Sequence, residues 1–149
     1  MSTEKRLPPK QRLNPRLRPI GVVRSVLKAR GKAPRQGFEG APDAWIDLEP
    51  RVSAAVEGLK VGDEILVLTW FHQSDRRVLQ VHPRDELSNP MTGVFATRSS
   101  DRPNPIGLHP VRIRSISRKG TRLRVGPLEA IDGTPVLDIK PVLSPPRRR

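Results

Sequence analysis

Between positions 93 and 107 the chain reads GVFATRSSDRPNPIG. Arg98 and Arg102 carry guanidiniums, Thr97, Ser99 and Ser100 carry hydroxyls, Asp101 a carboxylate and Asn104 an amide. Such a set can donate to a carboxylate or phosphate and accept from an ammonium or hydroxyl, so it suits an anionic or zwitterionic ligand. Pro103 and Pro105 fix their own φ and push Arg102 and Asn104 toward extended backbone, which predicts a loop held in one shape. Gly93 and Gly107 bracket it where unusual backbone angles are expected. Residues 93–96 predict a short apolar strand entering the loop. For the fragment Arg102-Pro103-Asn104-Pro105 alone, a solvated proline-rich turn is the plainer alternative.

Four further segments accompany this one in order: PIGVVRS at 19–25, PRQ at 34–36, FHQ at 71–73 and IDGTPVLDIKP at 131–141. Together they span residues 18–142, and the chain resembles the TrmO family (TsaA-like proteins), S-adenosylmethionine-dependent methyltransferases acting on tRNA. The resemblance implies S-adenosylmethionine as cofactor and tRNA as partner. It implies a small single-sheeted β-barrel, usually a homodimer with the pocket near the subunit interface. It also implies methylation of the exocyclic amine nitrogen of threonylcarbamoyl-adenosine at nucleotide 37, beside the anticodon. By the same resemblance the cofactor pocket draws on Pro34, Arg35, Gln36, His72, Gln73, Arg98, Leu108, Gly126, Pro127, Leu128 and Glu129.

The residue chemistry is compatible with that cofactor. Its carboxylate asks for Arg35 or Arg98, its ribose hydroxyls for a carboxylate such as Glu129, and its adenine for the amides of Gln36 and Gln73. Leu108 and Leu128 can wall the adenine. Structural roles are open alternatives: Arg98 can pair with Asp101 or another loop acid, and His72 can cap the end of a buried strand. The accepting nitrogen is a poor nucleophile because its lone pair is conjugated, so catalysis reduces to alignment and proton acceptance. Asp138 is the candidate acceptor. Lys140, two residues on and on the same strand face, would hold a phosphate or the threonyl carboxylate. The pair is equally readable as a surface salt bridge.

Three departures from the family pattern stand out. Val142 follows the Lys-Pro step where the family often has Tyr, and the chain contains no Tyr, so base stacking would fall to Phe38, Trp45, Trp70, Phe71 or Phe95. His109-Pro110 stands where a Ser-Leu pair is commoner. Bacterial members often continue into a further C-terminal domain. This chain stops at Arg149, so tRNA contact would fall to its basic segments.

The elements that must position these residues are mostly strands. The chain of 149 residues reads as one domain, with 17 prolines that disfavour long helices and so few aromatics (3%) that the core must rest on Val, Ile and Leu. Residues 20–26 predict a first strand, 28–42 a long loop, and 44–48 a strand alternating Trp45 and Asp47 against Ile46 and Leu48. Residues 53–59 predict a short helix with Ser53 as N-cap. Gly62-Asp63 turns the chain into a strand at 64–71 buried on both faces, ending at His72-Gln73. A strand at 78–82 and a loop at 83–91 come next.

Residues 111–117 and 121–125 predict a hairpin closed by Arg118-Lys119-Gly120. That register sets Ile113 opposite Val125, Ser115 opposite Leu123 and Arg114 opposite Arg124, with Arg112 and Arg122 on the same face. Opposed like charges are destabilising, so this face is either screened by water or meets an RNA phosphate backbone. Residues 128–131 and 136–140 predict a second hairpin around Asp132-Gly133. The expectation is an all-β barrel with short helical and loop insertions over 19–143, a disordered basic arm at 1–18 and a basic tail at 144–149.

The formal charge of +13 favours a polyanionic partner. Cysteine is absent, which excludes disulfides and thiolate metal sites. His72, His82 and His109 lack metal-ligand spacing, and no glycine-rich nucleotide loop or nucleophile elbow occurs. Neither a membrane-length apolar run nor a signal h-region occurs, which leads to the expectation of a soluble cytoplasmic protein. The chain thus has three readings: a tRNA methyltransferase, a methyltransferase of the same fold with another substrate, and a non-catalytic RNA-binding barrel.

Overall fold

Alternation decides the architecture. In the segment 44–48, Ala44, Ile46 and Leu48 are buried while Trp45 and Asp47 face outward, the pattern of a sheet covered on one side. The computed structural model describes residues 15–144, and the same period recurs along each long strand. These are β1 (Gly21–Arg24), β2 (Ala44–Leu48), β3 (Glu64–Trp70), β6 (Ile106–Ser117), β7 (Arg122–Gly126) and β8 (Pro135–Pro141). They close into an antiparallel barrel in the order β1-β2-β7-β6-β3-β8, and Gly21 and Val22 on β1 pair with Val136 and Pro135 on β8. The short strands β4 (Gln80–Val81) and β5 (Thr92–Gly93) form a separate ribbon.

Inside the barrel Val23, Ile46, Ile65, Val67, Ile113, Leu123, Val125 and Val136 are at most 1% exposed. Aliphatic and largely β-branched, they fill the small interior that the sequence assigns to Val, Ile and Leu. At the turn between β7 and β8, Asp132 accepts the Ser25 amide at 3.0 Å and pairs with Lys28 at 3.2 Å. The Ser25 amide bond first, and Lys28 after it, hold the Asp132 carboxyl below its usual pKa.

Several predicted elements are corrected. β3 is not buried on both faces: Ile65, Val67 and Thr69 point in, while Leu66, Leu68 and Trp70 are only half-buried outside. Residues 94–96 form a 3-10 turn rather than a strand, and β5 ends at Gly93. The helix predicted at 53–59 is a 3-10 segment, Pro50–Val56, entered at Glu49 with Pro50 at its first turn, so Ser53 caps nothing. Residues 128–131 are not a strand, and Gly133 donates to the Val23 carbonyl, tying that turn to β1 instead. Residues 15–18 of the predicted arm are exposed and without regular structure. Its remainder, and most of the predicted tail, lie outside the described residues.

The arginine hairpin is also revised. Ile113 does face Val125, but a bulge at Arg114 shifts the register beyond it, so Arg124 opposes Ser115 and Leu123 opposes Ile116. The connection is four residues, 118–121, with Gly120 at φ +83° where a side chain would be strained. The bulge separates Arg114 from the position opposite Arg124, and both reach Asp43, at 3.6 and 3.4 Å. Arg122 pairs with Asp47 at 2.9 Å and lies over the Trp45 ring at 4.3 Å, while Arg112 turns to Glu64 at 2.6 Å. Carboxylates of the chain itself therefore sit beside all four guanidiniums.

Candidate functional site

All the long connections at one end of the barrel converge on a single cleft of about 920 Å³. The β1–β2 loop brings Pro34, Arg35 and Gln36, the end of β3 brings Phe71, His72, Gln73 and Ser74, and the loop before β6 brings Thr97 to Asp101. Glu129 enters from the β7–β8 connection. Of the residues predicted to line a pocket, Pro34, Arg35, Gln36, His72, Gln73, Arg98 and Glu129 do meet here.

Leu108, Gly126, Pro127 and Leu128 do not line the cleft. Leu128 is fully buried in the core, and Leu108 points outward from β6 with 39% exposure. The backbone of Leu108 still takes part, since its carbonyl accepts from Arg98 at 3.1 Å. Gly126 packs on Asp43, and Pro127 and Glu129 pack against Gly37, so this segment supports the cleft wall. The apolar wall comes instead from Phe71. Asp138 and Lys140 form a 3.3 Å ion pair, 51% and 62% exposed, on the outer face of β8 away from the cleft lining.

The loop at 94–105 owes its shape to Arg102. Its guanidinium donates to the carbonyls of Ser99 at 2.8 Å, Thr97 at 2.6 Å and Val94 at 2.5 Å. Arg102 is thus turned into its own loop and is not presented to a ligand, contrary to the sequence expectation. Arg98 is presented. It is exposed, and among the described residues it makes no ion pair. The alternative in which Asp101 neutralises it is not realised, because Asp101 binds Arg30 at 3.1 Å and the Asp75 amide at 2.9 Å. Arg35 is held by Asp85 at 2.7 Å and Arg84 by Glu39 at 2.8 Å. Ser74 lies in the cleft lining, with its Oγ buried and without a hydrogen-bond partner among the described residues.

Behind the cleft lies a buried polar row that sequence reasoning did not assemble. Glu129 Oε1 is 2.5 Å from His109 Nδ1, and His109 Nε2 is 2.7 Å from Thr69 Oγ1. His109 and Thr69 are 1% and 0% exposed. The strand period could have placed His109 inside, in register with Gly107, Val111 and Ile113. Gly107 is needed for room rather than for an unusual angle. A Cβ there would collide with Thr69 Oγ1 and stand 2.6 Å from both His109 Nε2 and Phe71 Cζ.

Comparison with known proteins gives a consistent assignment. Residues 22–145 match the family described as the tRNA-methyltransferase O N-terminal domain. A probable S-adenosyl-L-methionine-binding protein of Methanothermobacter thermautotrophicus is 45% identical over 126 residues, covering 85% of this chain and 88% of that one. An S-adenosyl-L-methionine-binding protein of Archaeoglobus fulgidus is 41% identical over 124 residues, covering 83% of this chain and 86% of that one. The crystal structure of TrmO from Pseudomonas aeruginosa superposes with a TM-score of 0.68 at 32% identity, over 86% of this chain and 55% of that one. The chain therefore spans little more than half the length of that solved protein.

The three-carbonyl contact of Arg102 generates a prediction. A lysine ammonium cannot reach all three carbonyls from one planar fork. Arg102→Lys should leave global stability nearly unchanged. Amide hydrogen exchange at Thr97 and Ser99 should accelerate about tenfold, as expected for losing about 1.5 kcal/mol of local charge-assisted bonding. Unchanged exchange at both amides would show that the prolines alone hold the loop.

Proposed function

Since the chain belongs to the tRNA-methyltransferase O N-terminal-domain family, we propose that it is an S-adenosylmethionine-dependent tRNA methyltransferase whose cofactor occupies the cleft between loops 30–36, 71–74 and 97–101. One observation carries the reading above the others: Arg98, without an ion pair among the described residues, faces the same cleft as the Glu129 carboxylate. The volume of the cleft lies in the range of small-molecule sites. The amides of Gln36 and Gln73, the exposed Arg98 guanidinium and the apolar Phe71 wall supply the hydrogen-bonding, charged and stacking groups that an amino-acid-bearing nucleoside requires.

S-adenosylmethionine supplies the methyl group on a positively charged sulfur. Arg98 binds the carboxylate, Gln36 and Gln73 take the polar edge of the adenine, Phe71 meets its face and Glu129 accepts from the ribose hydroxyls. The substrate we propose is the exocyclic amine nitrogen of threonylcarbamoyl-adenosine at nucleotide 37. Methyl transfer to that nitrogen would form an N–C bond as the S–C bond of the sulfonium breaks, releasing the neutral thioether S-adenosylhomocysteine and leaving one proton on nitrogen to be accepted. Asp138 and Lys140 keep their proposed roles only if a second copy of the chain presents them to its neighbour's cleft, because in one barrel they lie outside.

A homodimer is proposed on a related observation. The outer face of β3 and β6 sets Trp70 beside Ile106, Leu68 beside Leu108 and Leu66 beside Pro110, an apolar strip next to Asp138 and Lys140 on β8. Such a strip is the surface a second barrel would cover. The tRNA contact is proposed at the groove lined by Arg24, Lys28, Arg118, Arg122 and Arg124, where three aspartates leave a positive excess. Arg114, paired with Asp43, flanks it, whereas Arg112 turns away toward Gly62 and Glu64.

Three measurements test these readings. Calorimetry should give one S-adenosylmethionine site per chain, and Arg98→Ala should weaken it about 10- to 100-fold, the scale of a charge-assisted contact, with the fold intact. No binding heat from folded protein at millimolar cofactor sinks the assignment. Light scattering should report a dimer, and Leu68→Arg with Leu108→Arg should give a monomer; a monomeric wild type over a wide concentration range rejects the dimer. Affinity for tRNA should fall steeply with salt. The double variant Arg118→Ser, Arg124→Ser should flatten the logarithmic slope by about 0.7–0.9 per lost phosphate contact and leave cofactor affinity unchanged. An unaltered slope places the tRNA elsewhere.

A further inference from the structure

Three side chains on three different segments form one continuous hydrogen-bonded row, from the barrel interior to the cleft. Thr69 comes from β3, His109 from β6 and Glu129 from the β7–β8 connection. The donors follow once Glu129 is taken as ionised and His109 as neutral. An ionised carboxylate only accepts, so His109 Nδ1–H donates to Glu129 Oε1. In the neutral imidazole Nε2 is then the acceptor, and its neighbour at 2.7 Å is the Thr69 hydroxyl, which donates to it. Each of these groups is satisfied, and the second oxygen of Glu129 remains for the cleft. The row is tightly fitted, since a Cβ at Gly107 would collide with both Thr69 Oγ1 and His109 Nε2.

We propose that His109 is a positioning residue for the nucleoside half of the cofactor: locked in its Nδ1–H tautomer by Thr69, it holds Glu129 so that the free carboxylate oxygen accepts from the ribose hydroxyls. This deepens, and rests on, the assignment of the cleft to S-adenosylmethionine. The physical need is clear. Glu129 is 11% exposed, and a carboxylate so nearly buried needs a hydrogen-bond donor and a fixed orientation. A glutamate has three side-chain torsions. One short contact from a ring that is itself immobile removes most of that freedom before a ligand arrives.

The test uses 5′-methylthioadenosine, which keeps the adenine, ribose and sulfur but lacks the amino-acid end and the positive sulfur. Asn places its amide nitrogen where Nδ1 stands and can still donate to Glu129, whereas Gln reaches instead toward Nε2 and is closer to His in size. His109→Gln should therefore weaken methylthioadenosine binding about tenfold or more, and His109→Asn should restore most of it, the reverse of the order set by volume. In the Glu129→Ala background the two substitutions should differ by less than about twofold, because the group they act through is gone. Imidazole ¹⁵N shifts of the wild-type protein provide a readout free of ligand, with His109 protonated on Nδ1 and not on Nε2.

Equal affinity of the Gln and Asn variants, with wild-type binding intact, would overturn the role of His109 while leaving the cleft assignment standing. An Nε2–H tautomer would overturn it as well, even where both variants fail to fold. Absence of methylthioadenosine binding by the wild type would overturn the ribose assignment. S-adenosylmethionine binding in the same titration decides whether the larger reading falls with it.

Discussion

One guanidinium sets the geometry of the cleft without facing a ligand. Arg102 gathers the carbonyls of Val94, Thr97 and Ser99, which lie on three sides of a loop that has no sheet partner of its own. The carbonyls of Thr97 and Ser99 have no other hydrogen-bond donor among the described residues, while that of Val94 also accepts from the Thr97 amide and hydroxyl, and an unpaired buried carbonyl costs more than a hydrogen bond contributes. With Arg102 in place, the backbone leaving the turn at 94–96 must pass Arg98, Ser99, Ser100 and Asp101 along the cleft before entering β6. Asp101 then anchors Arg30 and the Asp75 amide, so the same loop fixes the two connections beside it. Arg76 completes the frame by holding the Pro103 carbonyl at 2.7 Å and the Asn104 side chain at 3.0 Å.

The sequence made the barrel legible because its interior is written in a period of two. The faces of residues 44–48 follow from alternation alone, while Ile113 meets Val125 through a four-residue connection and a bulge instead of the three-residue loop that the sequence predicts. Elements whose form depends on distant partners were not legible. An apolar run such as 64–71 does not reveal whether its outer face will be covered. The slip at Arg114 reflects the pull of Asp43 on β2's approach, which no local pattern encodes. The turn at Asp132-Gly133 has the composition of a hairpin, but its amides are claimed by Leu27 and Val23 on the opposite edge.

The site was legible to the extent that it is made of short polar motifs. Pro34 to Gln36, His72, Gln73, Arg98 and Glu129 were named through the family resemblance that those motifs carry, and they do line one cleft. Arg102 was not separable from Arg98, since both are arginines in one loop and only the fold decides which is turned inward. His109 was hidden for a different reason. A lone histidine in an apolar strand has no local signature, and its meaning comes from Thr69, 40 positions away, and Glu129, 20 positions away. Leu128 had the opposite fate: an apolar residue in a pocket motif went to the core, and Phe71 took the wall.

Electrostatics divide the surface between two kinds of ligand. The cleft contains Arg30, Arg35 and Arg84, but each is already joined to an acid within 3.1 Å, so little of their charge is available. What they leave is the Arg98 guanidinium, without an ion pair among the described residues, and a carboxylate at Glu129, which together suit a molecule carrying both an acid group and hydrogen-bond donors. The groove beside Trp45 has the other balance. Five cations meet three aspartates there, a surplus that attracts a polyanion without demanding one fixed geometry. The two features thus differ in the kind of ligand they suit, as the proposed division between a methyl donor in the cleft and a nucleic acid at the groove requires.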